Sequence, residues 1–265
     1  MYETTYHRPA SVADAASLVA SSSEAKLLAG GQTLLPTMKQ RLAAPEHLVD
    51  IGKLAELKGI TVTGDTVTIG AATKHAEVAA SADVARAIPA LAALAGMIGD
   101  PAVRHMGTIG GSVANNDPAA DYPAALLALG ATVVTNKRSI AADDFFTGLF
   151  ETALEDGEII TKVSFPIPQK AGYEKFRNPA SRYAMCGVFV AKTANGVRVA
   201  ATGVGSSGAF RVSAMEQALA SNWSPEAVAS ITVPAGDMLS DIHGSSDYRA
   251  HLVTVMAKRA VAKAG

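Results

Sequence analysis

Two short glycine-rich segments hold the residues best suited to chemistry: Ala29-Gly30-Gly31-Gln32-Thr33 and Thr108-Ile109-Gly110-Gly111-Ser112. Glycine lets a backbone approach a ligand closely, and consecutive N–H groups can converge on one anion. Gln32, Thr33, Thr108 and Ser112 add side-chain donors suited to phosphate oxygens. A Gly-Gly pair in a loop is ordinarily only a turn, so either segment alone is weak. Two of them, with Gly30 and Gly110 80 positions apart, suggest loops that clamp a diphosphate from opposite sides, as in a dinucleotide such as FAD. Neither segment matches G-x-G-x-x-G or runs into Gly-Lys-Ser/Thr, so neither a Rossmann site nor a P-loop is indicated.

Other redox and metal chemistries find little support. Cys186 is the only cysteine. One thiol can neither close an internal disulfide nor supply the four cysteines of an iron–sulfur cluster. No His/Cys/Asp/Glu grouping has zinc-ligand spacing. Redox chemistry in this chain must therefore rest on an organic cofactor. The six histidines (His7, His47, His75, His105, His243 and His251) are scattered, and none pairs with a Ser or Cys nucleophile in a known motif. His105 stands out because it immediately precedes the second glycine segment.

At 265 residues the chain can hold two domains and a substantial core. Its 49% hydrophobic and 18% charged content is ordinary for a soluble α/β protein. A net charge of −1 gives no electrostatic reason to expect nucleic acid or an anionic membrane. The longest mostly apolar run, 122–134, is too short for a bilayer and is broken by Pro123 and Gly130. The first nine residues lack a signal-peptide core, so the expected location is cytoplasmic.

The elements that must position these segments read as follows. Ser11 with Asp14 predicts a capped helix to about residue 20. Residues 26–29 read as a short buried strand entering the first turn, after which Thr33 caps a helix with Pro36 in its first turn. A strand covers 48–51. Residues 60–63 and 66–69 form a hairpin about Gly64-Asp65, and helices cover 74–81 and 88–98. Asp117-Pro118 reads as N-cap and N1 of a helix ended by Gly130. Residues 131–135 and 158–165 are strands. Pro166 to Gly172 reads as the domain boundary. Beyond it, Asn195-Gly196 predicts a type I′ hairpin between 185–194 and 197–204. Ser213 with Glu216 suggests a capping box, Ser224-Pro225 opens a helix, and the last helix starts near Asp247.

Three stretches together resemble a known family. They are Lys26-Leu27-Leu28-Ala29-Gly30-Gly31-Gln32-Thr33-Leu34-Leu35-Pro36, then Asp100-Pro101-Ala102-Val103-Arg104 with Gly107 to Ser112, then Asp117-Pro118-Ala119-Ala120-Asp121. The strand at 158–165 and Phe176-Arg177-Asn178-Pro179-Ala180-Ser181-Arg182-Tyr183-Ala184 also fit. The pattern is similar to the FAD-binding medium subunits of molybdenum hydroxylases, which include aerobic carbon monoxide dehydrogenase and xanthine dehydrogenase. No single piece is specific; the combination is.

The resemblance implies an α+β protein. Its FAD-binding domain of the PCMH/vanillyl-alcohol-oxidase type would span 1–168, in two α/β-like lobes split near 57. A smaller α+β domain with an antiparallel sheet and helices would span 172–265. It further implies that Leu27, Leu28, Ala29 and Leu34 wrap the FAD, with Gly30, Gly31, Gln32 and Thr33 at the diphosphate. Thr108, Ile109, Gly110, Gly111 and Ser112 would hold it from the other side. Asp121 would accept hydrogen bonds from FAD hydroxyls, although a helix-dipole carboxylate is an equal reading. Ile98 and Ile160 would pack near the flavin ring, where core packing explains them nearly as well. Arg177 and Tyr183 would lie near the isoalloxazine. No catalytic or metal-ligating residue is implied.

Gln32 stands where some relatives with covalently attached flavin carry His, so the FAD is expected to be noncovalent. The four-cysteine insertion of some relatives is absent. The implied partners are a large molybdenum-cofactor subunit and a small [2Fe–2S] subunit, in a dimer of heterotrimers. The implied function is electron transfer from those clusters to an external acceptor, in the cytoplasm or peripheral to the inner membrane through the complex. Two other readings stay open: a free-standing flavin reductase of this fold, and a non-redox α/β protein binding another phosphorylated ligand.

Overall fold

The structure, a computed structural model, describes residues 1–264. Gly265, the last residue of the expected second domain, lies outside the described residues. The fold is mixed α+β, built on three main sheets.

The first sheet is parallel, with β3 (His47–Asp50) between β1 (Thr5–His7) and β2 (Ala25–Leu28). Helices α1 (Val12–Ala20) and α2 (Leu34–Lys39) connect its strands. Ser11 caps α1 as expected, its hydroxyl accepting from the Asp14 N–H. The strand expected to be buried at 26–29 is an edge strand in which only Ala25 is fully buried.

The second sheet is antiparallel, in the order β4 (Ile60–Thr63), β5 (Thr66–Gly70), β10 (Ile160–Pro166), β6 (Thr132–Thr135) and β7 (Ser139–Ala141). A small hairpin of β8 (Phe146–Gly148) and β9 (Glu151–Thr152) follows the short helix α9 (Ala142–Phe145). Helices α3 (His75–Ala80), α4 (Ala82–Ala87), α5 (Pro89–Gly96), α6 (Pro101–Arg104), α7 (Ile109–Asn115) and α8 (Tyr122–Leu129) lie between β5 and β6.

The third sheet, β11 (Lys170–Arg177), β12 (Ala184–Thr193), β13 (Gly196–Thr202) and β14 (Phe210–Arg211), is also antiparallel. Helices α10 (Ser213–Ser221), α11 (Pro225–Val228) and α12 (Ser246–Lys263) follow it.

The alternation along β12 explains how the parts cohere. Successive strand side chains point to opposite faces. Phe189 and Ala191 join the core of the second sheet and α8, while Val188 and Val190 join the core under α12. A sheet buried on both faces must be apolar at every position, and β12 nearly is. On α12 the buried residues Arg249, Val253, Met256 and Ala260 recur at helical spacing. Gly172 of β11 is required there, because a Cβ would overlap the Ala260 carbonyl.

Several sequence expectations are corrected. The second glycine segment is the first turn of α7, capped by Thr108, rather than a loop. Asp117-Pro118 does not start a helix. The Asp117 carboxylate accepts the Ala119 N–H (2.8 Å) in a turn, and α8 begins at Tyr122 with Asp121 as N-cap. The β12–β13 turn is Ala194-Asn195, with only Gly196 at positive φ (+113°). A type I′ turn needs two positive φ values, so that reading fails. Ser213 caps nothing, and Glu216 instead accepts the Val199 N–H and pairs with Arg211. Thr33 occupies an N-cap without a side-chain bond, and α4 was not anticipated.

Candidate functional site

β2 delivers the chain into the first glycine segment, which turns at Gly31 (φ +70°) before α2. That turn leaves a row of donors open. Among the described residues no protein group is bonded to a backbone N–H from Gly31 through Leu34, while the Gly31 and Thr33 carbonyls accept from Leu35 and Thr37. Four consecutive unspent N–H groups on a half-exposed turn form an anion cradle. Gln32 is exposed, its amide donating to the Gly30 carbonyl at 3.2 Å.

The second segment differs from this. The Ile109 and Gly110 N–H groups donate to the Thr73 and Ala71 carbonyls at 3.1 and 2.8 Å. Those of Gly111 and Ser112 donate to Thr108, at its hydroxyl and carbonyl. The backbone donors from Ile109 to Ser112 are therefore spent inside the protein, and what the segment presents is the hydroxyls of Thr108 and Ser112. The glycines here serve packing. A Cβ on Gly110 would lie 2.6 Å from the Ala71 Cβ, and one on Gly111 3.0 Å from the Thr108 hydroxyl. Ile109 points into the core and does not line the cavity described next.

The two segments touch. A Cβ on Gly30 would overlap the Met106 carbonyl and lie 2.6 Å from the Gly107 Cα. Beside this junction opens a cavity of about 1060 Å³, at the upper end of the size range of small-molecule sites. Leu27 to Leu34, Thr108, Gly110, Gly111 and Ser112 line it. Ile98, Asp121, Ile160 and Tyr183 are also in its wall. Arg177, at the end of β11, is exposed and lies outside the lining. Of the expected site residues, only Ile109 and Arg177 are not brought to the cavity.

Two buried carboxylates in the wall are committed to partners. Glu158 is buried and accepts from Arg138 (3.0 and 3.1 Å), Thr135 (2.7 Å) and the Glu155 N–H (2.8 Å). These bonds, that from Arg138 first, pull its pKa down to about 2. Asp121 is more than a dipole partner, because its carboxylate already takes bonds from two side chains. Its Oδ1 accepts from the Tyr173 hydroxyl (2.5 Å), and both its oxygens accept from Lys175 Nζ (2.9 Å each). Burial pushes the Asp121 pKa up, while Lys175 and Tyr173 pull it down.

His75 is one of the wall residues that sequence reasoning missed, with Asn115, Glu158 and Ser181 among the others. It is buried against Tyr122, with ring centroids 5.5 Å apart, and packs beneath Gly107. His105, by contrast, is exposed and bonds only to the Pro101 carbonyl. His75 opens α3, with Lys74 as N-cap, just beyond the buried stretch Ala71-Ala72-Thr73, and no sequence signal set it apart.

Burial, with the nearby Arg104 charge, lowers the His75 pKa from 6.5 to about 4. Between those values the unfolded chain binds the extra proton. The neutral histidine's contribution is thus complete above pH 6.5 and declines as pH falls toward 4. This linkage amounts to about 3 kcal/mol at most. Urea unfolding at several pH values should show a steeper acid-side loss in the wild type than in His75→Phe. Parallel slopes would contradict a buried neutral His75.

Among the described residues there is no cluster of three metal-ligating side chains, and no helix is long and apolar enough to cross a membrane. Cys186 is fully buried, and that burial pushes its thiol pKa up.

Comparison with known proteins gives a consistent pattern. Residues 2–168 match the family described as the FAD binding domain in molybdopterin dehydrogenase. The chain is 38% identical to the carbon monoxide dehydrogenase medium chain of Hydrogenophaga pseudoflava, covering 97% of this chain and 95% of that one. It is 37% identical to the nicotine 6-hydroxylase medium subunit of Paenarthrobacter nicotinovorans, covering 98% and 96%. The structure of reconstituted CO dehydrogenase from Oligotropha carboxidovorans superposes with a TM-score of 0.88 at 33% identity, covering 99% and 97%.

Proposed function

Because the chain belongs to the family of FAD-binding domains of molybdopterin dehydrogenases, we propose that it is the FAD-carrying electron-transfer subunit of a molybdenum hydroxylase of the carbon monoxide dehydrogenase type. The observation that carries this reading is the row of unspent N–H groups from Gly31 to Leu34 in the wall of a large cavity. A diphosphate fits that row by charge and donor count. The cavity beyond it has room for the cofactor's two ring systems.

The residues then take the following roles. Gly31 to Leu34 hold the diphosphate through backbone N–H groups, and the Thr108 and Ser112 hydroxyls donate from the opposite wall. Leu27, Leu28 and Ala29 give apolar contact. Asp121 accepts from a hydroxyl of the cofactor. Ile98, Ile160 and Tyr183 border the flavin ring. Ile109 and Gly110 act by seating α7 against Thr73 and Ala71. Residues 1–168 supply most of the site. The connection between β11 and β12 adds Ser181 and Tyr183.

Bound FAD supplies the ability to exchange electrons singly or in pairs. The chain itself binds, orients and shields. Glu158 and Asp121 are fixed in ion pairs and His75 is neutral and buried, so none is placed as a proton donor for substrate chemistry. Substrate oxidation then belongs to a large molybdenum-cofactor partner. The one-electron relay belongs to a small [2Fe–2S] partner, in a dimer of heterotrimers. The medium-chain relatives carry names of multi-subunit dehydrogenases, which supports that assembly.

The purified protein should hold one FAD per chain, attached noncovalently. The first glycine segment contains no histidine or cysteine, and an amide such as Gln32 forms no covalent link to a flavin. Acid precipitation should leave all the yellow colour in the supernatant. Flavin retained on the pellet would contradict the noncovalent site.

A further inference from the structure

Lys175 lies on β11, behind the cavity, with its side chain fully buried. It is not among the cavity-lining residues. Its ammonium has three protons and three acceptors: both Asp121 oxygens (2.9 Å each) and the Met97 carbonyl (3.0 Å). Asp121 is the N-cap of α8, and Met97 is the C-cap of α5. One side chain from the third sheet therefore ties together two separate pieces of the cavity wall.

The segment it grips is short and held throughout. Arg104 donates to the next two carbonyls, Ile98 at 3.0 Å and Gly99 at 3.2 Å. All three carbonyls from Met97 to Gly99 thus end on a cation at the C-terminus of α5, where the helix dipole favours positive charge. Ile98, Gly99 and Asp121 all line the cavity.

We propose that Lys175 is a positioning residue of the cofactor site: it holds the Asp121 carboxylate as an acceptor facing the cavity and locks the Met97–Gly99 wall to it. This rests on the FAD reading above. A buried carboxylate without its cation takes up a proton readily, and a protonated carboxyl makes a poorer acceptor for a ligand hydroxyl. The groups around Asp121 are Lys175 and Tyr173 on β11, Tyr122 beside it on α8, and Arg177 at the exposed end of β11. Lys175 alone among them is a buried cation in contact with the carboxylate.

The experiment measures FAD affinity by flavin fluorescence quenching, using the full chain stripped of flavin, from about pH 6 to 8.5, across the range where a buried unpaired carboxylate titrates. The wild type should bind tightly with little pH dependence. Lys175→Met should bind roughly tenfold or more weakly near pH 6, where losing a charged hydrogen-bond partner counts most, and recover as pH rises. Asp121→Asn and the double variant Asp121→Asn/Lys175→Met should both be weaker and pH-flat. They should agree with each other within about threefold, because a residue acting through Asp121 has little left to do once the carboxylate is gone.

A loss in Lys175→Met that is equal at every pH would overturn the proposal, as would no loss at all. If Lys175→Met does not fold by circular dichroism, the comparison of Asp121→Asn with the charge-neutral double variant decides. A further large loss on adding Lys175→Met would show a merely structural lysine. Failure of the wild type to bind FAD would instead refute the FAD reading itself.

Discussion

Gly30→Val should yield a folded protein with no FAD. The Cβ of any residue at position 30 overlaps the Met106 carbonyl and crowds the Gly107 Cα. The two glycine segments must then part, and the row of N–H groups from Gly31 to Leu34 loses its opposite wall. Such overpacking costs about 1–3 kcal/mol, which a domain of ordinary stability survives. The clash lies at a loop junction outside the three hydrophobic cores. The ratio of flavin absorbance to protein should fall to background while circular dichroism stays native. A full complement of flavin in this variant would contradict the junction as the ligand site.

Gly110→Val makes an informative contrast. Its side chain would strike Ala71, not a ligand, in a helix turn whose N–H groups are already bonded to Ala71 and Thr73. Loss of flavin there would accompany loss of stability, whereas in Gly30→Val the two should separate.

Much of this was legible in the sequence, for local reasons. Alternating β-branched residues about Gly64-Asp65 specify a hairpin wherever they occur, and β4 and β5 form as read. Ser11, Ser224 and Gly130 terminate helices through their own backbone neighbours. The first glycine segment was readable because its donors lack competitors nearby in the chain.

The errors share a different cause. In most, the deciding partner lies far away in the chain, Asp117 being the exception. The second segment looked like the first, but its N–H groups are consumed by Ala71 and Thr73, which only β5 and the turn after it bring alongside. Ser213 with Glu216 has the spacing of a capping box, yet Glu216 finds Arg211 and Val199 on the neighbouring strands. Asp117 binds the turn it sits in, so α8 starts four residues later. His75 could not be told from His105 by type or spacing, since burial under Gly107 is a tertiary fact. Lys175, an unremarkable strand lysine in sequence, acquires its place from Asp121, 54 positions earlier.

The central claim is that this chain carries the flavin of a larger redox assembly and no substrate site of its own. Anaerobic absorbance of the flavin band tests it most directly. The isolated, FAD-loaded chain should bleach with dithionite but keep its full spectrum when given the complex's substrate. Adding the molybdenum and iron–sulfur subunits should let the same substrate bleach it. Bleaching of the isolated chain by substrate would contradict the account and assign the chemistry to this chain alone.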